Sequence, residues 1–326
     1  MALYYVAHRL FAAHDRALGA YIAGRLARRT GTGAVFLPFC DTDEENLVSD
    51  CKGRRLFELD CERLRRVDGM IAVLHGPSLD DGVCMEIGYA AALGIPVVIV
   101  STDFQTYGPG SDGSVFTFAE PLLDQLATTV IRADRLGAPS SPGHHNRFYA
   151  FLGQNLHPVR VAATQAVDAL LAARSAEPAA ARRSSASPHL AFIEPSPYLT
   201  DDIWADITAE LDARGWTTHV AQRFRHCADI IDATRADWTA AAAAGLAVVD
   251  TRGPETPPGA ALVTGACAAA GRPVLAAHTG SWQTFASGRE PNWRNLMVQY
   301  AVSERFAGIS EFATILDRLP CPPPRR

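Results

Sequence analysis

Apolar positions along this chain fall in short unbroken runs, separated by stretches with helical spacing. Residues 3–7, 34–38, 70–74 and 96–100 are apolar at almost every position, which predicts strands covered on both faces. Between the first two runs, Phe11, Leu18, Ile22 and Leu26 recur at helical spacing up to Thr30-Gly31. Leu56, Leu59, Leu64 and Val67 mark a second helix, and residues 147–173 a long one. Residues 41–50, acidic and without period, read as a loop over a site, and the glycine-bearing residues 102–113 as another loop. Strands alternating with helices predict a parallel sheet with helices on both sides.

Residues 175–187 are rich in Ala, Ser, Arg and Pro and read as a flexible linker. After them the pattern restarts, with strands at 189–193, 246–249 and 273–277 and a helix at 203–211. The restart is a repeat. Gly76-Pro77 recurs as Gly253-Pro254; Gly82, Gly88, Gly94 and Pro96 recur as Gly259, Gly265, Gly271 and Pro273; Asp60 recurs as Asp237. Each pair is separated by 177 positions (253 − 76). Two copies of one α/β domain are expected, at 1–174 and 188–320, followed by a disordered tail at 321–326.

The copies differ at Asp80-Asp81-Gly82-Val83-Cys84-Met85-Glu86-Ile87-Gly88-Tyr89-Ala90, between a strand and a helix. Ligands of open α/β sheets bind beyond the carboxyl ends of the strands. Asp80 and Glu86 could therefore serve as paired carboxylates at a sugar carbon. Equally, Asp80 or Asp81 could cap the helix while Glu86 favours its positive end. A helix-start position predicts an exposed Glu86, replaceable with little change in stability. In the second copy Asp80 becomes Pro257 and Glu86 becomes Val263, neither of which can move a proton or attack carbon.

Charged residues make up 20% and hydrophobic ones 48% of the 326 residues, and the formal net charge is −5. This is a globular balance with no electrostatic case for nucleic acid. Seven scattered cysteines without CxxC spacing are read as reduced thiols. With no charged leader and no apolar run of membrane length, the expectation is a cytoplasmic protein that does not enter a membrane. His144-His145 lacks further ligands at useful spacing, so no metal is assigned, and no cofactor.

Tyr5 on the first strand, Asp60 eight residues before Asp68, and Asp80-x5-Glu86-Ile87-Gly88-Tyr89-Ala90 together resemble the nucleoside 2-deoxyribosyltransferase family. The resemblance spans most of residues 3–100 and, more weakly, the second copy. It implies a flavodoxin-like α/β fold, doubly wound around a parallel sheet, twice in this chain. It also implies roles. Glu86 would attack C1′ and form a glycosyl-enzyme. Asp80 would lie near the sugar hydroxyls, Asp60 would exchange a proton with the base, and Tyr5 would hold the Glu86 carboxylate. Without the resemblance, Tyr5 reads equally as a core aromatic and Asp60 as an exposed helix acid. Family members complete each site with an Asn-x-Met segment from a neighbouring subunit. Nothing like it stands near Phe118-Ala119-Glu120, whereas the second copy has Asn295-Leu296-Met297. The expectation is an intramolecular pseudo-dimer with one composite site, although Met297 could instead fill the core. A further homo-oligomer is left open.

Gly82 and His8-Arg9 join the candidate substrate-binding set. Arg9 could meet a 5′-phosphate or be a solvated surface residue. The expected partners are a nucleoside or nucleotide and a free nucleobase, and the expected reaction is base exchange. The alternatives are hydrolysis of a nucleoside 5′-monophosphate and non-catalytic nucleotide binding.

Overall fold

The computed structural model describes residues 2–42, 51–108, 115–134, 146–175, 187–199, 203–225, 229–285 and 290–319. The first half runs β1 (Tyr4–Ala7), α1 (Ala13–Thr30), β2 (Val35–Phe36), α2 (Lys52–Leu64), β3 (Gly69–Val73), α3 (Asp81–Ala92), β4 (Val97–Ser101), α4 (Pro121–Leu126), β5 (Thr129–Arg132) and α5 (Arg147–Ser175). The second runs β6 (Ser187–Glu194), α6 (Ile203–Ala213), β7 (Thr217–Val220), α7 (Ile230–Ala243), β8 (Ala244–Asp250), α8 (Pro258–Ala269), β9 (Val274–Ala277), α9 (Leu296–Ala301), β10 (Glu304–Phe306) and α10 (Ile309–Arg318). Each half builds an all-parallel five-stranded sheet, in the orders β2-β1-β3-β4-β5 and β7-β6-β8-β9-β10. These are one topology, the flavodoxin-like order, seen twice.

The unbroken apolar runs have the predicted cause. Along β1, Tyr5 and Ala7 face α2 and α3, while Tyr4 and Val6 face α1 and α5. Neither side of the strand meets water. The second sheet repeats this, with Ala191 and Ile193 towards α6 and α10 and Phe192 towards α7 and α8.

The halves meet through α3 and α8, whose bounds differ by the 177 positions of the repeat (258 − 81). The contact is reciprocal. A Cβ on Gly88 would lie 1.9 Å from the Leu262 carbonyl oxygen, and a Cβ on Gly265 would lie 1.9 Å from that of Met85. Gly88 and Gly265, like Met85 and Leu262, are counterparts. A pair of surfaces in which i meets j and j meets i is the mark of a two-fold relation, here within one chain. Only glycine permits the backbones to come this close.

Several expectations shift. Phe11 precedes α1 and is exposed rather than part of its core face. The second strand is just Val35–Phe36, and α2 ends before Val67. The two-copy offset is not uniform: Tyr5 pairs with Met70 as Phe192 pairs with Ala247, so Phe192, 187 positions on (192 − 5), is the counterpart of Tyr5. Of the acidic loop at 41–50, only Asp41 and Thr42 lie within the described residues. His144-His145, most of the linker and the tail lie outside them.

Candidate active site

α3 begins where β3 leaves the sheet, and Asp80 is its N-cap. The Asp80 Oδ1 atom accepts from the Val83 N–H at 2.9 Å. The capping reading is therefore realised, and Asp80 still presents its second oxygen to the site. Glu86 departs from expectation. It is the sixth residue of α3, not part of a loop, and is 6% exposed. The sequence gives α3 no polar face, because the first sheet covers one side and α8 the other. Every residue from Asp81 to Ala90 is buried, so the carboxylate is carried into the interior.

There the Tyr5 hydroxyl donates to Glu86 Oε1 at 2.6 Å. Tyr5 is wholly buried, and burial, reinforced by Asp60 and Glu86, raises its pKa well above the ordinary value. The phenol stays protonated and remains a donor. Burial also raises Glu86 well above the carboxylate range, and Asp60 and Asp80 add to this. Among the influences on Glu86, the Tyr5 hydrogen bond is the one that favours the anion. Asp60, on α2, is pushed up to about 7 by burial, and its Oδ1 has no hydrogen-bond partner among the described residues. Asp80 is likewise pushed up to about 7, by burial and then by Asp81. Carboxyl groups that raise one another's pKa titrate as a set rather than singly. Such a cluster can have one member ionised and another protonated near neutrality, the division of labour that acid–nucleophile chemistry needs.

The second half reaches into this site. Asn295 is the N-cap of α9, its Oδ1 accepting from the Met297 N–H at 3.0 Å. Its amide lies over the start of α3, where a Cβ on Gly82 would sit 2.5 Å from Asn295 Nδ2. Met297 is buried in the same apolar cluster as Tyr5 and Met85, so it also fills the core. His8 is buried, its ring stacked against Gly19 of α1 and its pKa lowered by burial. Arg9 lies at the rim, its Nη2 3.4 Å from Glu255 Oε1 and its Nε 3.9 Å from Asp80 Oδ2. Among the described residues no cluster of three His, Cys, Asp or Glu could hold a metal.

Residues 4–141 match the family model described as nucleoside 2-deoxyribosyltransferase. That part of the chain is a nucleoside 2-deoxyribosyltransferase domain. No curated protein matches the chain. Among solved structures, a conserved protein from Enterococcus faecalis V583 shares 24% identity over 48% of this chain and 98% of its own, with a TM-score of 0.32. A candidate phosphosugar isomerase from Silicibacter pomeroyi DSS-3 shares 15% identity over 97% of this chain and 87% of its own, with a TM-score of 0.28. Overlaps this slight carry no argument about the domain.

The nucleoside 2-deoxyribosyltransferase domain also reaches into the second half, at residues the repeat alone does not single out. Glu120 is the N-cap of α4, as Asn295 is of α9. It binds Arg223, with Oε1 2.7 Å from Nε and Oε2 2.8 Å from Nη2. Arg223 also contacts Glu194 at 2.5 Å and Asp237 at 3.3 Å, and its side chain is 0% exposed. Asp237 is the counterpart of Asp60. The second half thus fills with a guanidinium the place that corresponds to the carboxylate cluster of the first. The signal in the sequence was an arginine without a counterpart near the repeated Asp237. Glu255 is the other unforeseen residue. It stands 177 positions after Ser78 (255 − 78), and its Oε2 accepts from Ser78 Oγ at 2.5 Å. Counterparts in contact lie on the two-fold axis itself.

Proposed function

We propose that the chain cleaves the N-glycosidic bond of a nucleoside through a glycosyl–Glu86 intermediate and passes the sugar to a second base. The observation that carries this reading is the Tyr5–Glu86 hydrogen bond at 2.6 Å, set beside a protonatable Asp60 in a nucleoside 2-deoxyribosyltransferase domain. In the first step a Glu86 oxygen bonds to C1′ as the C1′–N bond breaks. The bonding pair goes to the base nitrogen, and Asp60 gives its proton to the departing base. In the second step Asp60, now a carboxylate, takes a proton from the incoming base, whose nitrogen bonds to C1′ and releases Glu86. Positive charge on the sugar ring is met by carboxylate below it, and one hard displacement becomes two easier ones. Incubation of a nucleoside with a different free base, followed by chromatography, tests the reading. The expected product is a new nucleoside; free sugar would mark a hydrolase, and unchanged reactants a binding protein.

The protonation states give a pH prediction. Asp60 must hold its proton in the first step, and its pKa is about 7. At alkaline pH its acid form falls about tenfold for each further unit, so kcat/KM should decline as pH rises through about 7. A flat profile from pH 6 to 8 would count against Asp60 as the acid.

The composite geometry gives a second. Asn295→Ala removes a helix cap, a loss of about 1 kcal/mol, and the amide over Gly82. Turnover should fall roughly tenfold or more by loss of substrate positioning. Asn295→Asp preserves the cap and removes the amide donor, so the two variants separate stability from positioning. Full turnover in Asn295→Asp would remove Asn295 from the site.

A further inference from the structure

The rim of the site carries an ion pair that joins the two halves. Arg9, just beyond β1, is the one arginine beside a small space lined by His8, Asp15, Leu74, His75, Ser78 and Asp80. Its guanidinium faces Glu255 of the second half at 3.4 Å and Asp80 at 3.9 Å. Glu255 is held from its other oxygen by the Ser78 hydroxyl at 2.5 Å. A carboxylate therefore already takes up the arginine and the hydroxyl that an anionic group of a substrate would use. Both side chains of the pair are 41% exposed, so what an incoming anion meets at this open rim is the Glu255 carboxylate itself.

Resting on the base-exchange reading, we infer that Glu255 is a specificity-determining residue that makes uncharged nucleosides, and not nucleoside 5′-monophosphates, the substrates of this site. Two carboxyl groups, Asp80 and Glu255, face the Arg9 guanidinium, and a third, Asp15, lines the same space beside His75. Burial keeps His8 from adding a positive charge. A phosphate dianion brought to Arg9 would have to displace Glu255 and then sit beside it, and like charges so placed suppress the wrong partner. A 5′-hydroxyl meets no such barrier and can donate to Glu255 or Asp80. The discriminating group comes from the second half, so that half, though it lacks the reacting carboxylates, sets the substrate class. On this inference Arg9 does not bind a phosphate and instead holds Glu255 in place.

The test compares kcat/KM for a 2′-deoxynucleoside and its 5′-monophosphate, with one acceptor base, in the unmodified protein and in Glu255→Gln and Glu255→Ala. The ratio of the two substrates is read, not either rate, so a general loss of activity does not affect the answer. The unmodified protein should favour the nucleoside by roughly a hundredfold, and both variants should narrow that ratio roughly tenfold. Preference of the unmodified protein for the monophosphate would overturn the inference, as would an unchanged ratio in both variants. Titration calorimetry of the same two ligands on the same three proteins reads the discrimination as a ratio of Kd. If no substrate turns over, the base-exchange reading fails, while the binding ratio still decides the role of Glu255.

Discussion

Glu86→Gln will leave a folded protein whose turnover is lower by roughly a thousandfold or more, the scale on which loss of a covalent nucleophile acts. The amide keeps the shape of the side chain and can still accept from Tyr5, but it cannot bond to C1′ and leave again. Stability should not fall. The native carboxyl is buried and raised well above its usual pKa, so ionising it costs free energy that a neutral amide does not. The sequence reading expected tolerance because Glu86 would be exposed; the structure gives a different ground for a similar outcome. A 2-fluoro-2-deoxy nucleoside, whose fluorine slows breakdown of the intermediate, should add one sugar mass to Glu86 in the unmodified protein and none in the variant. Substantial turnover by folded Glu86→Gln would remove Glu86 from the nucleophile role.

Arg223→Ala will destabilise the whole chain by about 3–5 kcal/mol, the range for unpairing a buried charge. Its guanidinium is fully buried against Glu120, Glu194 and Asp237, and removing it leaves carboxyl groups facing each other without a cation. Glu120→Ala should cost less, because Glu194 and Asp237 remain. Since Glu120 belongs to the first half and Arg223 to the second, both losses should appear in a single urea transition shared by the two halves. The double variant should show strong non-additivity. Losses below about 1 kcal/mol in both single variants would show that the cluster does not tie the halves together.

What could be read from the sequence follows burial. Strands covered on both faces, such as β3 and β4, announce themselves because nearly every position is apolar. The edge strands β7 and β5 do not: they read Thr-Thr-His-Val and Thr-Val-Ile-Arg, half exposed and too short to show a period. The alanine-rich α7 offers little contrast between faces and was not foreseen. At the site, Tyr5 does bond Glu86, and Asp60 and Asp80 lie near enough to help raise the Glu86 pKa. This proximity was expected from a family resemblance, since spacing alone left Tyr5 and Asp60 open. Arg223, Glu120 and Glu255 were missed because each matters through contact with the other half, and a single sequence shows the repeat but not which surfaces it presses together. The Gly88–Gly265 pair was visible as repeated glycine, yet its meaning, a close crossing of two helices, needed the coordinates.

The joining of α3 to α8 within one chain has a consequence for concentration. A site shared between separate subunits exists only while the subunits are associated, and it fades when the protein is diluted below their dissociation constant. Here both contributors are synthesised together and remain tethered, so each meets the other at an effective concentration that dilution cannot lower. On the proposed reading, activity per molecule should then be the same in a crowded preparation and in a nanomolar assay. The first half always meets the same tethered second half and never a copy of itself across this contact, which leaves the two halves free to become unlike, as Asp80 and Pro257 have.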